Sequence, residues 1–381
     1  MHNVLREMAL WIGSMSEKEE EKQCVKSGGK LRNIPNDINW SVLERISLMS
    51  NQIEEISCCP ECPNLSTLFL GENSLKVIPG KFFQFMKALV VLDLSHNGFL
   101  KESSEEICRL TSLQYLNLSH TGISLLSVGL KGLRKLISLD LEFTDVESID
   151  GIGTSLPKLQ VLKLYRSFFY IDARSIEELQ LLEHLKILTG NVKDAIMLES
   201  IQRVEQLASC VQRLRIFTIS AKVLTLNTAA LGGLRELEII VSRISEIKIY
   251  WKSKEKEDLL CNSSPCFKHL SSTVIYDLEG SKELTWLLFA PNLKKLQVRS
   301  SRSLEEIINK EKGISISNVH PDLTVPFAKL QSLSLWGLPE LKRICPTPPA
   351  LPSLRKFVVE KCPKLPLESF RDTNRNNEVD E

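Results

Sequence analysis

Aromatic residues are scarce in this chain, 6% of 381, and neither sign of charge dominates: Lys plus Arg number 48, Asp plus Glu 47, for a net charge of +1. A protein that grips nucleic acid carries a basic surplus, and this balance gives no support for that class. No run of 18 apolar residues occurs, so no membrane span is expected. No glycine-rich loop ends in Gly-Lys-Ser/Thr, so the chain alone is not expected to bind nucleotide as phosphate-loop ATPases do. The ten cysteines follow no repeating frame. The opening Met1–Met8 already carries Arg6 and Glu7, where a signal peptide would be apolar. Reduced thiols in an intracellular, cytoplasmic protein are therefore expected, with the membrane periphery and the nucleus as further sites. Cys58-Cys59-x-x-Cys62 has the crowding of a zinc site but lacks a fourth ligand.

What is abundant is leucine, and it is periodic. The phrase Leu-x-x-Leu-x-Leu-x-x-(Asn/Thr) returns every 23 or 24 residues as Leu65–Asn73, Leu89–Asn97, Leu113–Thr121 and Leu136–Thr144. A degenerate copy begins at Leu159, and an earlier one spans Leu43–Asn51. Alternation buries Leu113, Leu116 and Leu118 in one layer around a short strand. The Asn side chain can bond the turning backbone, and stacked copies would form a ladder; Thr121 and Thr144 can do the same more weakly. Ser104–Leu110, with Ile107 and Leu110 inward, and Gly129–Leu133 return along the convex side. The expectation is an α/β fold: a curved leucine-rich-repeat solenoid with short parallel strands on its concave face.

Three segments follow from this reading: a leading piece, 1–30; the repeat domain, 31–370; and a polar, disordered tail, 371–381. From about residue 167 the period loosens. Arg174–Leu188 reads as a helix running into a strand at Leu185–Leu188. Asp194–Cys210 reads as one amphipathic helix with Ile196, Leu198, Ile201, Val204 and Leu207 as its apolar positions. Further strands are expected at Leu214–Ile219, Leu237–Val241, Val274–Tyr276, Leu293–Val298, Leu330–Leu335 and Leu354–Val359. Loops are expected near 252–265 and 309–324.

Residues flanking the strand leucines should point to the concave side. One row is Ser47, Phe69, Asp93, Asn117, Asp140 and Lys163. The next is Met49, Gly71, Ser95, Ser119, Glu142 and Tyr165. His96, His120, Phe143 and Arg166 lie beside them, and Trp336 takes an outward position further on. A mixed surface with aromatic and Arg anchors suits protein recognition. His96 and His120 with Asp93 superficially suggest a metal or acid–base cluster. Both histidines, however, come from one repeated phrase, Leu94-Ser95-His96 and Leu118-Ser119-His120. No metal, catalytic group or enzyme activity is expected.

The opening Met1-His2-Asn3-Val4 resembles the Met-His-Asp segment of plant intracellular disease-resistance proteins, built from a coiled coil, a nucleotide-binding domain and leucine-rich repeats. Leu31-Arg32-x-Ile34-Pro35 and Ile46-Ser47-Leu48-Met49-Ser50-Asn51 are also similar to that family. So are Leu284-Thr285-Trp286-Leu287-Leu288-Phe289-Ala290-Pro291-Asn292-Leu293, Leu304-Glu305-Glu306-Ile307-Ile308, Pro326-Phe327, Leu338-Pro339-x-Leu341-Lys342 and Cys362-Pro363-Lys364-Leu365. The resemblance covers nearly the whole chain and implies only the C-terminal portion of such a receptor. It implies that His2 matches the family's ADP-sensing His and Asn3 the following Asp, with ADP or ATP bound only in a full-length relative. It implies a sensing and restraining role in plant defence, without the nucleotide-binding switch. The partner would be a pathogen effector, a guarded host protein or the nucleotide-binding domain of a related receptor. A stand-alone interaction scaffold or decoy in intracellular signalling is the alternative.

Overall fold

The computed structural model describes residues 22–57, 59–101, 105–125, 128–250, 266–309, 311–312, 327–345 and 351–366. His2, Asn3, Cys58, the 371–381 tail and most of both expected loops lie outside the described residues. The chain divides into two units. The first comprises residues 1–169 and 177–185, and the second residues 170–176 and 186–381.

The first unit holds seven three-residue strands: β1 (Gln23–Val25), β2 (Arg45–Ser47), β3 (Thr67–Phe69), β4 (Val91–Asp93), β5 (Tyr115–Asn117), β6 (Ser138–Asp140) and β7 (Val161–Lys163). Each pairs with the next in parallel, and the leucines align rung to rung: Leu68 with Leu92, Leu116, Leu139 and Leu162. All five are essentially inaccessible to solvent. Burying each such side chain stabilises the fold by about 2 kcal/mol, and only a neighbouring rung can supply the burial. The return side uses short 3-10 turns at Gly80–Phe83, Glu105–Arg109 and Val128–Gly132. Ile107 and Leu110 are buried there, as their spacing requires. β1 lies within the leading 1–30 segment, so strand pairing begins earlier than the leucine phrase indicated.

The second unit has eight longer strands: β8 (Ile187–Val192), β9 (Val211–Phe217), β10 (Ser220–Asn227), β11 (Glu236–Tyr250), β12 (Ser272–Glu279), β13 (Lys295–Arg299), β14 (Ser332–Trp336) and β15 (Lys356–Glu360). All pair in parallel. β11 runs to 15 residues, well past the expected Val241, because its second half pairs with β10. The expected helix Asp194–Cys210 is two helices, Ala195–Arg203 and Glu205–Cys210. Val204 separates them in an extended conformation, φ −91° and ψ 92°. Ile196 is 65% exposed and not part of the apolar face. It sits in the first turn, just after Asp194, whose carboxylate accepts its N–H at 2.8 Å.

Candidate functional site

The turn that follows each strand decides which side chains reach solvent. One non-glycine residue per rung adopts a left-handed backbone: Ser50, Glu72, His96, His120, Phe143 and Arg166, with φ between 55° and 58°. Each costs about 1 kcal/mol relative to ordinary backbone. The cost is offset by hydrogen bonds. The N–H of the left-handed residue donates to the next rung: His96 to Ser119 O at 2.9 Å, His120 to Glu142 O at 2.9 Å and Phe143 to Tyr165 O at 3.1 Å. The strand ladder thus continues through the turn and holds these residues one strand spacing apart.

The asparagine after Ser50, Glu72 and His96 closes the turn. Asn73 donates to the carbonyls of Leu48, Leu70 and Gly71 at 2.9, 3.0 and 3.2 Å and accepts the Ile53 N–H at 3.1 Å. Asn97 repeats the pattern on Leu70, Leu94 and Ser95, and accepts the Leu75 N–H at 3.0 Å. Thr121 and Thr144 each donate at 2.7 Å to a carbonyl of their own rung, Leu118 and Leu141. A hydroxyl has one hydrogen to give where an amide has two, which is why threonine is the weaker substitute.

Held in this way, the left-handed side chains of the first unit form a column. The His96 and His120 rings stack at 4.1 Å and 13°, and His120 stacks on Phe143 at 4.2 Å and 13°. The Arg166 guanidinium lies 5.6 Å from the Phe143 ring and 5.7 Å from that of Tyr165. His96 and Arg166 are exposed, His120 and Phe143 half-buried. Burial first, and then the charge of His96, lower the His120 pKa below the ordinary histidine value, while Asp140 opposes them. Stacked imidazoles turn their nitrogens side by side rather than toward one ion, so the arrangement suits a flat contact surface better than a metal.

Other expected surface residues have structural duties. Phe69 is 1% exposed and belongs to the core. It is a large apolar ring flanked in register by Ser47 and Asp93, and burial is its favourable state. Asp93, Asn117 and Asp140 each bond the backbone N–H two residues on, at 2.8, 3.1 and 3.1 Å. Asn117 also donates to Asp93 at 3.1 Å, and Lys163 to Asp140 at 2.8 Å. Asp140 and Glu142 are 7% and 8% exposed, and Tyr165 is buried. These are turn-forming and packing groups, with Asp93, Asn117 and Lys163 half-buried and open to partial contact.

The second unit places its large side chains one column over. Its left-handed positions are Thr218, Val241, Asp277, Ser300, Gly337 and Lys361. The residues just before them align in register as Phe217, Ile240, Tyr276, Arg299, Trp336 and Glu360. Tyr276 is 42% exposed, Arg299 exposed and Trp336 half-buried with the Lys361 ammonium 4.7 Å from its ring. Tyr170 stacks on Phe217 at 5.9 Å, with Lys193 over Tyr170 and Arg215 over Phe217. Arg215 Nε is 3.6 Å from Glu238, an ion pair too long for a hydrogen bond. Of this row the sequence reading named only Trp336. The signal that finds the others is the register of the residue before each turn.

Parallel rungs, buried leucines and an asparagine-closed turn define a leucine-rich-repeat protein, and residues 63–123 match the leucine rich repeat family. Residues 243–367 match the leucine-rich repeats of RPS2-like plant disease resistance proteins. A probable disease resistance protein of Arabidopsis thaliana is 59% identical over 367 residues, covering 96% of this chain and 43% of that protein. The Arabidopsis disease resistance protein RPS5 is 43% identical over 376 residues, covering 97% and 42%. Over nearly its whole length the chain is similar to the leucine-rich-repeat part of these plant disease resistance proteins, and it spans less than half the length of these relatives. Among solved structures, an internalin (inlF) of Listeria monocytogenes superposes with a TM-score of 0.53 at 17% identity, covering 90% of this chain and 88% of that one. A leucine-rich-repeat protein of Leptospira interrogans gives 0.50 at 18% identity, covering 93% and 94%. These two share the fold. No helix among the described residues is long and apolar enough to cross a membrane.

Proposed function

We propose that this chain recognises a protein in plant defence, acting by binding rather than catalysis and with no cofactor of its own. The partner classes are a pathogen effector, a guarded host protein, or the nucleotide-binding domain of a related receptor. The observation that carries the reading is the column His96–His120–Phe143–Arg166. Four large side chains stand on backbone positions where glycine would cost less, and they form a continuous aromatic and cationic strip. Aromatic and Arg residues preorganised by stacking are the side chains that anchor protein interfaces.

The test is affinity purification from plant tissue with the chain and with its Phe143→Ala/Arg166→Glu variant, quantified by mass spectrometry. Proteins retained by the first and lost by the second, at unchanged circular dichroism, are the expected result. An identical partner set would remove the strip from the account. Asp140 and Glu142 are unsuitable for such a test, because reversing the charge of Asp140 disturbs its turn bond and its half-buried ion pair with Lys163, and Glu142 is itself buried.

A further inference from the structure

The outer face of β12–β15 carries a second surface that differs in chemistry from the His96–Arg166 strip. Three register rows cross it. The first places Lys295 and Lys356 on β13 and β15 with Ser332 between them. The third places Tyr276, Arg299 and Trp336 on β12, β13 and β14 and ends at the exposed acid Glu360 on β15. The middle row is Val274, Gln297, Ser334 and Val358, none of which carries charge. The result is a shallow uncharged track with cations on one bank and rings plus Arg299 on the other. Lys295, Lys356 and Arg299 are exposed, and no acid among the described residues forms an ion pair with any of them. This contrasts with Arg213 on β9, which is matched to Glu236 at 2.9 Å.

Resting on the protein-recognition reading above, we propose that this track binds an acidic, extended peptide segment of a protein partner. Charge complementarity and spacing carry the inference. Lys295 and Lys356 lie two strands apart, about 10 Å at the usual strand spacing. An extended peptide in the polyproline II form repeats every three residues at about 3.1 Å per residue, so acids at positions i and i+3 share one face about 9 Å apart and meet both ammonium groups. The uncharged middle row accepts the backbone and small side chains between them. Tyr276 and Trp336 offer ring faces to an apolar residue, and Arg299 offers a bidentate donor to a further carboxylate.

The test is selection of a displayed random heptapeptide library on the full chain, followed by fluorescence anisotropy with a synthetic copy of the most enriched peptide. The expected peptides carry Asp or Glu three residues apart. Their affinity should fall about tenfold or more in Lys295→Glu/Lys356→Glu, and also in Trp336→Ala, at unchanged thermal unfolding. Salt should weaken binding. Selection without acidic enrichment, or affinity unchanged in both variants, overturns the proposal. So does equal competition by an oligothymidylate, which would mark a general polyanion surface. Loss of the peptide only in Phe143→Ala/Arg166→Glu overturns this inference while leaving the protein-recognition reading intact.

Discussion

The two units solve one problem with different residues. Every rung must reverse direction after its strand, and in both units a left-handed residue does it. In the first unit that position holds large side chains from His96 onward, His96, His120, Phe143 and Arg166, and the preceding column mixes small and large residues, Met49, Gly71, Ser95, Ser119, Glu142 and Tyr165. In the second unit the turn positions are mostly smaller, Thr218, Val241, Asp277, Ser300 and Gly337 before Lys361, and the preceding column is uniformly large, Phe217, Ile240, Tyr276, Arg299, Trp336 and Glu360. The closing residue changes too. Asn73 and Asn97 tie adjacent rungs with an amide, whereas Ser242 and Ser301 use a hydroxyl that gives one bond and receives one, from Ile219 and Leu278 N–H at 3.2 Å. A repeat therefore specifies where a surface column runs and leaves open which of two adjacent columns carries the contact chemistry.

The difference in closure predicts the largest effect. Asn97→Ala orphans buried carbonyls and the Leu75 N–H, and should destabilise by about 3 kcal/mol. Ser242→Ala should cost about 1 kcal/mol. Urea denaturation together with amide exchange at Leu75 and Ile219 measures both. Equal costs would erase the distinction. The turn column predicts a smaller effect of opposite sign. Val241 is β-branched, 42% exposed and at φ 47°, with no ring to stack on. Val241→Gly should raise stability by up to about 1 kcal/mol, the backbone relief less glycine's extra freedom when unfolded. Phe143→Gly relieves the same backbone cost but loses its stack on His120, so it should show no comparable gain.

A weaker effect is expected from pH. His120 titrates below the ordinary value, so between the unfolded and folded pKa values the unfolded chain holds more protons. Its neutral stack is fully present above the unfolded value, and stability falls as pH drops toward the folded one. Phe143→Ala uncovers the ring and should raise the His120 pKa, read by NMR of its imidazole protons. An unmoved titration would mean that burial is not the cause. The least effect on stability is expected from the second unit's surface pairs. Hydrogen bonds from Lys342 and Lys282, at 2.7 and 3.1 Å, hold the Glu305 pKa down to about 2. Glu305 is half-buried at the surface, and its contribution is present above the ordinary carboxylate value and lost as pH falls toward 2. Lys342→Ala should move that pKa upward while leaving the unfolding midpoint within error. A shifted midpoint would show that these surface pairs matter more than those of the first unit.

Periodicity made much of this legible. The leucine spacing locates β2–β7, and the Asn and Thr positions are legible as turn-closing groups from the repeat alone. The set His96, His120, Phe143 and Arg166 was singled out as a third column, although nothing in the spacing told that its rings stack face to face. That depends on the left-handed turn, which neither propensity nor pattern announces for His or Phe. Asp140 and Glu142 read as surface acids because they follow strand leucines. Asp140 is held by the bond from the Glu142 N–H and by Lys163, a contact across 23 residues, and Glu142 is buried as well. In the second unit β10 is missed and β11 and β12 are cut short, since β11 continues only by pairing with β10, whose alternation the leucine phrase does not contain.

Hydroxyl-radical footprinting of the chain, free and bound to a protein captured through the His96–Arg166 strip, tests the central claim most directly. Protection of His96, His120 and Phe143 on binding is predicted, with the exposed Phe85 on the return side unchanged. Protection centred on Phe85, with the stacked column still fully reactive, would contradict the account.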